Sequence, residues 1–485
     1  MKKSLFKNML YKITLNAFNL ILPILVGPYV NRVLGAESIG KVQFVESIYA
    51  YFLIFATFGV YQYGLREISR IKDDKQKVSQ LFTSLFTIGL VTSLAALLCY
   101  AGVSYFGYGD ESIFPILMIF GFNFIANIFM VEWVNEAMEN YDFITIKTVI
   151  VRIVYVILIF AMVNSSDNYI EYAMLLVLAT VLNNIVSFIY IKRKIKFDFS
   201  NITIVEHLKP LFVVVVFANG NVLFTLLDRL MLGQFNNPRD VSFYVIPQQI
   251  MGIINTLMLS IIQVSLPRLS YVLGSNDEKS YHILLNNISK VYFSLLFPAS
   301  AGIFVLSDVA VLIYGGQDFI GASTALSLFA FYMIVLGIDF ILANQVIYVK
   351  KKENVLIKLV FISGFINVLF KVALLFMDKL TPATAVFTTA IATLILILLE
   401  YGYIKRYIKI DFKLFEWAKM KYLVYSLLFI PIAYFIRQYV SNPIPLFITI
   451  GITCSVIYGI ILLVTKDIVV QIALEKVKGR FGKKQ

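Results

Sequence analysis

Charged side chains inside apolar runs are the groups of this chain that could do chemistry. Arg32, Glu46, Glu132, Arg152, Asp228, Arg229, Asp308, Asp339 and Lys371 all fall within or at the margins of such runs. Facing lipid at a bilayer centre, each would cost about 2.5–3.5 kcal/mol on insertion scales, so each is expected to face a bundle interior or water. Arg32, Arg229, Asp308 and Lys371 lie near the ends of their runs, where a side chain can also reach the headgroup layer. Glu46 and Arg152 lie deeper, which favours a cavity or an internal ion pair. Asn123, Asn127, Asn183, Asn184, Asn219, Asn221, Asn255, Asn344 and Asn367 add hydrogen-bonding capacity, mostly as contacts between helices.

Other chemistry finds little support. There is no G-x-x-x-x-G-K-[ST] loop for nucleotide phosphates and no H-E-x-x-H zinc motif. His207 and His282 fall in polar links and read as surface residues. Asp73-Asp74 is flanked by Lys72 and Lys75 and reads as a charge-balanced loop. Cys99 and Cys454 lie in apolar runs without metal-ligand spacing, so neither a disulfide framework nor a metal is implied. No link exceeds about twenty residues, too short for a soluble catalytic domain. The chain is therefore expected to be no enzyme and to need no cofactor.

The elements that must hold these charges are membrane helices. Of the 485 residues, 59% are hydrophobic and 15% charged, with mean hydropathy +0.82. A soluble domain carries about 25% charged residues. Hydropathy predicts an all-α integral membrane protein of about fourteen spans, among them 10–34, 42–64, 208–233, 284–313, 354–377, 383–404, 421–440 and 444–465. Counted over alternate links, 34 of the 42 lysines and arginines fall on one side and seven on the other. That asymmetry predicts a cytoplasmic-membrane protein with both termini in the cytoplasm. It also explains the net charge of +13 without nucleic acid.

A motif repeats. Asn31-Arg32-Val33-Leu34-Gly35 is echoed by Asp228-Arg229-Leu230-Met231-Leu232-Gly233, 197 residues later. The spacing suits six spans, so the repeats would be parallel: two pseudo-symmetric six-helix bundles, 1–200 and 201–410, followed by two further helices and a basic tail at 411–485. Aligning the arginines sets Pro23 opposite Gly220. Matching interruptions of this kind point to helices that bend around a central site.

Several blocks carry a resemblance. They include Tyr29-Val30-Asn31-Arg32-Val33-Leu34-Gly35, Tyr63-Gly64-Leu65-Arg66-Glu67-Ile68-Ser69, Ser265-Leu266-Pro267-Arg268-Leu269-Ser270 and Tyr314-Gly315-Gly316-Gln317-Asp318-Phe319. Over residues 10 to 405 the chain resembles the polysaccharide-type flippases of the multidrug/oligosaccharidyl-lipid/polysaccharide (MOP) exporter superfamily. It departs from that pattern at Ser242, at Gln248-Gln249 and at Phe387-Thr388-Thr389-Ala390.

The resemblance implies an alternating-access flippase for undecaprenyl-pyrophosphate-linked oligosaccharide repeat units, as used for capsule or O-antigen. Membrane lipids would surround it, and polysaccharide polymerase and glycosyltransferases would be its partners. Arg32, Arg229, Arg66, Arg152, Asn31 and Asn219 are then candidates to line the path for pyrophosphate and sugars. Charge-assisted hydrogen bonds from arginine suit a phosphate. Arg66 has Glu67 beside it as a neutralising pair. Glu46, Asp228 and Asp339 are candidates for coupling to protons or sodium. The alternatives are a multidrug/cation antiporter of the same superfamily, a lipid II flippase, and a membrane glycosyltransferase or polymerase.

Overall fold

A helix can cross lipid because its backbone donors and acceptors are satisfied within it. The computed structural model describes residues 5–275, 277–410 and 412–471, and every regular element among them is helical. Among the described residues, twelve segments are long and apolar enough to span a membrane. Large apolar side chains such as Leu98, Phe106 and Phe376 are left on the outside, as expected of a surface facing lipid.

The difference from fourteen lies in two places. The spans expected at 10–34 and 42–64 are not separated by a loop. The helical run Leu5–Thr57 is two helices meeting at a kink, and the single segment Leu10–Ile71 contains both expected spans. The polar link between them is itself helical, with Glu37 and Lys41 paired at 3.1 Å one turn apart. The backbone leaves helical geometry there at Gly35 (φ 74°, ψ 172°) and not at Pro23. A left-handed φ is open to glycine at little cost, which lets the chain kink at this motif residue. The second place is 208–233. It divides into Ile204–Ala218, a 3₁₀ turn at Gly220–Leu223, and Thr225–Phe235, so no single spanning helix forms.

The chain forms two compact units. One comprises residues 1–222 and 229–242, and the other 223–228 and 243–485. Residues of the last two spans cluster with the second unit.

In the first unit Phe82, Trp133, Tyr63, Ile68 and Leu85 form an apolar core. Elsewhere its helices are joined by short polar contacts, such as Asn127 Nδ2 to Ser93 Oγ at 2.9 Å and Asn184 Nδ2 to the Ala126 carbonyl at 3.0 Å. The second motif glycine is held by close packing. A Cβ on Gly233 would fall 2.0 Å from the Phe44 ring.

In the second unit, Ser300 Oγ donates to the Ala330 carbonyl (2.6 Å) and Ser363 Oγ to Ala392 (2.5 Å). Small hydroxyls of this kind allow close helix approach where lipid removes the usual hydrophobic drive. The last two spans dock on Glu278–Val305. Tyr458 donates to the Ser294 carbonyl and Lys419 to Asn286 Oδ1, at 2.8 and 2.7 Å.

Candidate functional site

Three charged residues of the first unit extend from three helical segments. Glu46 extends from the helix Leu5–Thr57, Arg152 from Tyr141–Met162, and Arg229 from Thr225–Phe235. Glu46 and Arg152 are half-buried, as is Arg229. Glu46 lies within electrostatic reach of Arg229 and of Tyr155, and Arg152 is within reach of that same tyrosine. Three of the residues singled out by the sequence are thus linked through Glu46 and Tyr155. On the same first helix, Asn31 is buried and Arg32 exposed, just before the kink at Gly35.

Other expected site residues sit elsewhere. Arg66 is exposed on the helix Val60–Ile71. Its Nε donates to Glu67 at 2.8 Å, and its guanidinium lies 5.4 Å from the Tyr63 ring centre. Asn219 Nδ2 turns back to the Val215 carbonyl at 2.8 Å and closes the end of its own helix. Gly220 opens the 3₁₀ turn that follows, while Pro23 is exposed and keeps helical backbone angles ahead of the kink at Gly35.

Lys147, counted among the basic links by sequence, is buried. Its ammonium donates to both Glu132 oxygens (2.9 and 3.1 Å) and to Ser187 Oγ at 2.7 Å. Glu132 is thereby neutralised inside the unit.

The second unit buries charge more deeply. Asp228 and Lys371 are fully buried, with Nζ 3.0 Å from Oδ1. That approach is an ion pair lacking the alignment of a hydrogen bond. The other carboxylate oxygen accepts from Tyr244 (2.8 Å) and Thr389 (2.7 Å). Lys371 donates to the Ala385 carbonyl, to Thr388 Oγ1 at 2.6 Å and to Thr389 Oγ1 at 3.1 Å. Lys371 therefore does not extend to the headgroups, because a carboxylate and three further oxygens hold it inside.

Asp339, half-buried at the end of the helix Ser323–Phe340, faces the fully buried Glu400. Neither Glu400 oxygen meets a donor among the described residues while both groups are ionised. Two carboxyl groups facing each other inside the unit repel one another when both are ionised.

The family model described as "Polysaccharide biosynthesis protein" matches residues 5–272. The chain belongs to the polysaccharide biosynthesis protein family.

Relatives of this family member include proteins of Escherichia coli (strain K12) and Shigella dysenteriae, each named "Putative O-antigen transporter". Both are 21% identical to it, over 82% and 76% of this chain and 97% and 93% of their own lengths. Among solved structures, the lipid II flippase MurJ in an inward closed conformation matches with a TM-score of 0.70 and 18% identity. That match covers 94% of this chain and 98% of MurJ. An inward-facing multidrug resistance MATE family transporter of the MOP superfamily gives 0.59 and 14%, over 81% and 96% of the two chains. At these identities the likeness establishes the fold: this polysaccharide biosynthesis protein is a helical membrane protein folded like those two structures.

Two features of this family member are not legible in its sequence. Glu400 is a lone carboxylate in the run Leu394–Tyr401 and is signalled only by its isolation there. The hydroxyls of Thr388 and Thr389 lie where the sequence departs from the family pattern, and they line the Lys371 ammonium.

Proposed function

We propose that this protein flips undecaprenyl-pyrophosphate-linked oligosaccharide repeat units across the cytoplasmic membrane by alternating access, supplying surface polysaccharide assembly. A pyrophosphate bearing sugars cannot cross hydrocarbon unaided. The protein supplies a polar path for the head while the polyprenyl tail stays in lipid.

The observation that carries this reading is the group formed by Glu46, Arg152 and Arg229 inside apolar helices of the first unit. Its arginines suit an anionic cargo, because guanidinium offers paired donors to phosphate oxygens. A cation-exporting antiporter would instead call for acidic side chains along the path. Family membership and relatives named as O-antigen transporters support the same reading. Arg32, Asn31, Asn219 and Arg66 are further contributors to the path, and the Asp339–Glu400 pair is a place where transport can be coupled to protons. Polysaccharide polymerase acts on the delivered units, and glycosyltransferases build them. The protein itself makes and breaks no covalent bond.

Deletion of the gene in its source cell tests the proposal. Full-length lipid-linked repeat units are expected to accumulate, and the wild-type gene is expected to clear them. Normal surface polysaccharide with no build-up of lipid-linked units would overturn the reading.

A further inference from the structure

Lys371 lies in a setting that an ordinary salt bridge does not need. Four oxygens surround its Nζ: Asp228 Oδ1, the Ala385 carbonyl, Thr388 Oγ1 and Thr389 Oγ1. An ammonium has three protons to give, so oxygens outnumber donors. The hydroxyl protons are also committed elsewhere. Thr389 donates its own to Asp228 Oδ2 at 2.7 Å, and Thr388 donates to the Thr384 and Ala385 carbonyls at 3.0 and 3.1 Å. Both hydroxyls therefore present lone pairs to the positive centre.

The cage is reinforced behind its walls. Tyr244 holds the second oxygen of the carboxylate at 2.8 Å, and Asn367 Nδ2 donates to the Leu223 carbonyl at 3.0 Å. Asn367 Oδ1 lies 3.5 Å from Thr389 Oγ1, which adds another oxygen at the margin of the site. Asp228 enters directly after the 3₁₀ turn at Gly220–Leu223, where the helix is broken.

One carboxylate, one carbonyl and two hydroxyls, with no nitrogen or sulfur ligand, form the donor set that hard monovalent cations take in membrane proteins. Ala385, Thr388 and Thr389 stand at i, i+3 and i+4 on one helix and offer their oxygens from a single face. Two fully buried charges are costly, and an apolar pair of similar volume is often as stable. Stability alone therefore does not account for an oxygen-rich cage.

We propose that these oxygens form a monovalent-cation site whose occupant is the chain's own Lys371 ammonium, so that the second unit is held together without an external ion. Removal of the amine opens the cage to a free cation of sodium size. With the amine in place, neither sodium nor potassium binds there. The site lies within this unit alone and does not depend on the cargo.

The test uses full-length protein purified in detergent, with sodium, potassium, lithium or choline chloride at equal ionic strength. Wild type is expected to melt at the same temperature in all four salts. Lys371→Ala is expected to gain about 5 °C or more from choline to saturating sodium, the shift that binding at many times Kd gives a unit of this size. Asp228→Asn/Lys371→Met, with no carboxylate and no room, is expected to show no such gain. Solubilising each variant directly in sodium captures a form that needs the ion to fold.

Equal melting of Lys371→Ala in all four salts would overturn the proposal. So would aggregation of Lys371→Ala in every salt, whether or not the double variant folds, because sodium must restore what the lysine supplies. A sodium-dependent shift of the same size in wild type would overturn it from the other side.

Discussion

The Lys371 ammonium lies 3.0 Å from the Asp228 carboxylate, and neither side chain reaches the surface. Breaking such a pair from one side leaves an uncompensated buried charge, which costs about 3–5 kcal/mol, whereas removing both charges is often near neutral. In sodium-free choline buffer Lys371→Met is therefore expected to lower the melting temperature sharply. Asp228→Asn/Lys371→Met is expected to recover most of the loss. Additive destabilisation in a double-mutant cycle would show that the two groups act independently.

The first unit makes a different prediction. Arg229 is linked to Arg152 through Glu46 and Tyr155, and a guanidinium's paired donors are not reproduced by an ammonium. Arg229→Ala and Arg229→Lys are both expected to slow clearance of lipid-linked intermediates by about tenfold or more, the factor that corresponds to about 1.4 kcal/mol. Expression measured in the same cells separates this from misfolding. Full clearance by Arg229→Lys would reduce the role of Arg229 to simple charge.

His207 sets a pH dependence. Tyr63 Oη lies 2.8 Å from its Nδ1 and Thr203 Oγ1 3.2 Å from its Nε2, with Glu67 and Lys77 around the same cleft. Burial holds the imidazole below its ordinary value of 6.5, against the opposing pull of Glu206 and Glu67. The unfolded chain then binds the proton more readily than the folded one. The contribution to stability is complete above pH 6.5 and declines as the pH falls through that value. Melting temperature is expected to fall between pH 7.5 and 5.5, and His207→Gln is expected to flatten the slope. An unchanged slope in the variant would assign the acid sensitivity to other groups.

The terminal spans are pinned by Arg437, whose Nη1 and Nη2 donate to the two oxygens of Asp308 at 2.8 and 2.7 Å. Nη2 also donates to the Val305 carbonyl at 2.8 Å. Both side chains are partly exposed, so solvent screens the pair and its loss is worth about 1 kcal/mol. Arg437→Ala is expected to speed hydrogen exchange in Trp417–Arg437 and Pro443–Val464 while leaving the helix Leu5–Thr57 unchanged. A uniform increase along the chain would instead mean global destabilisation.

Hydropathy and the alternation of basic links make the helical membrane fold legible, because lipid imposes both directly on composition. The first motif is legible as an interruption, and the backbone breaks at Gly35, where φ is left-handed, while Pro23 keeps helical angles though it has no N–H to donate. The fates of Lys147 and Lys371 are not legible. Each is near the end of an apolar run, and whether it reaches headgroups or turns inward depends on a partner from another helix. Glu132 and Ser187 hold the first, and Asp228, Thr388 and Thr389 hold the second. Glu400 is hidden for the same reason: its meaning comes from Asp339 on another helix. Glu46 and Arg152 stand out in the sequence because lipid rejects charge set so far inside an apolar run, and Arg229 because it repeats the motif of Arg32.

The most direct test of the flippase account is transfer in purified vesicles. Lipid-linked repeat units collected from the deletion strain are reconstituted with the protein, and their exposure on the outer leaflet is followed with a membrane-impermeant glycan-cleaving enzyme. Wild type is expected to make nearly the whole pool accessible, with Arg229→Ala leaving close to the half that faces outward at the start. Accessibility that stays at half with folded wild-type protein, under imposed proton and sodium gradients alike, would contradict the account.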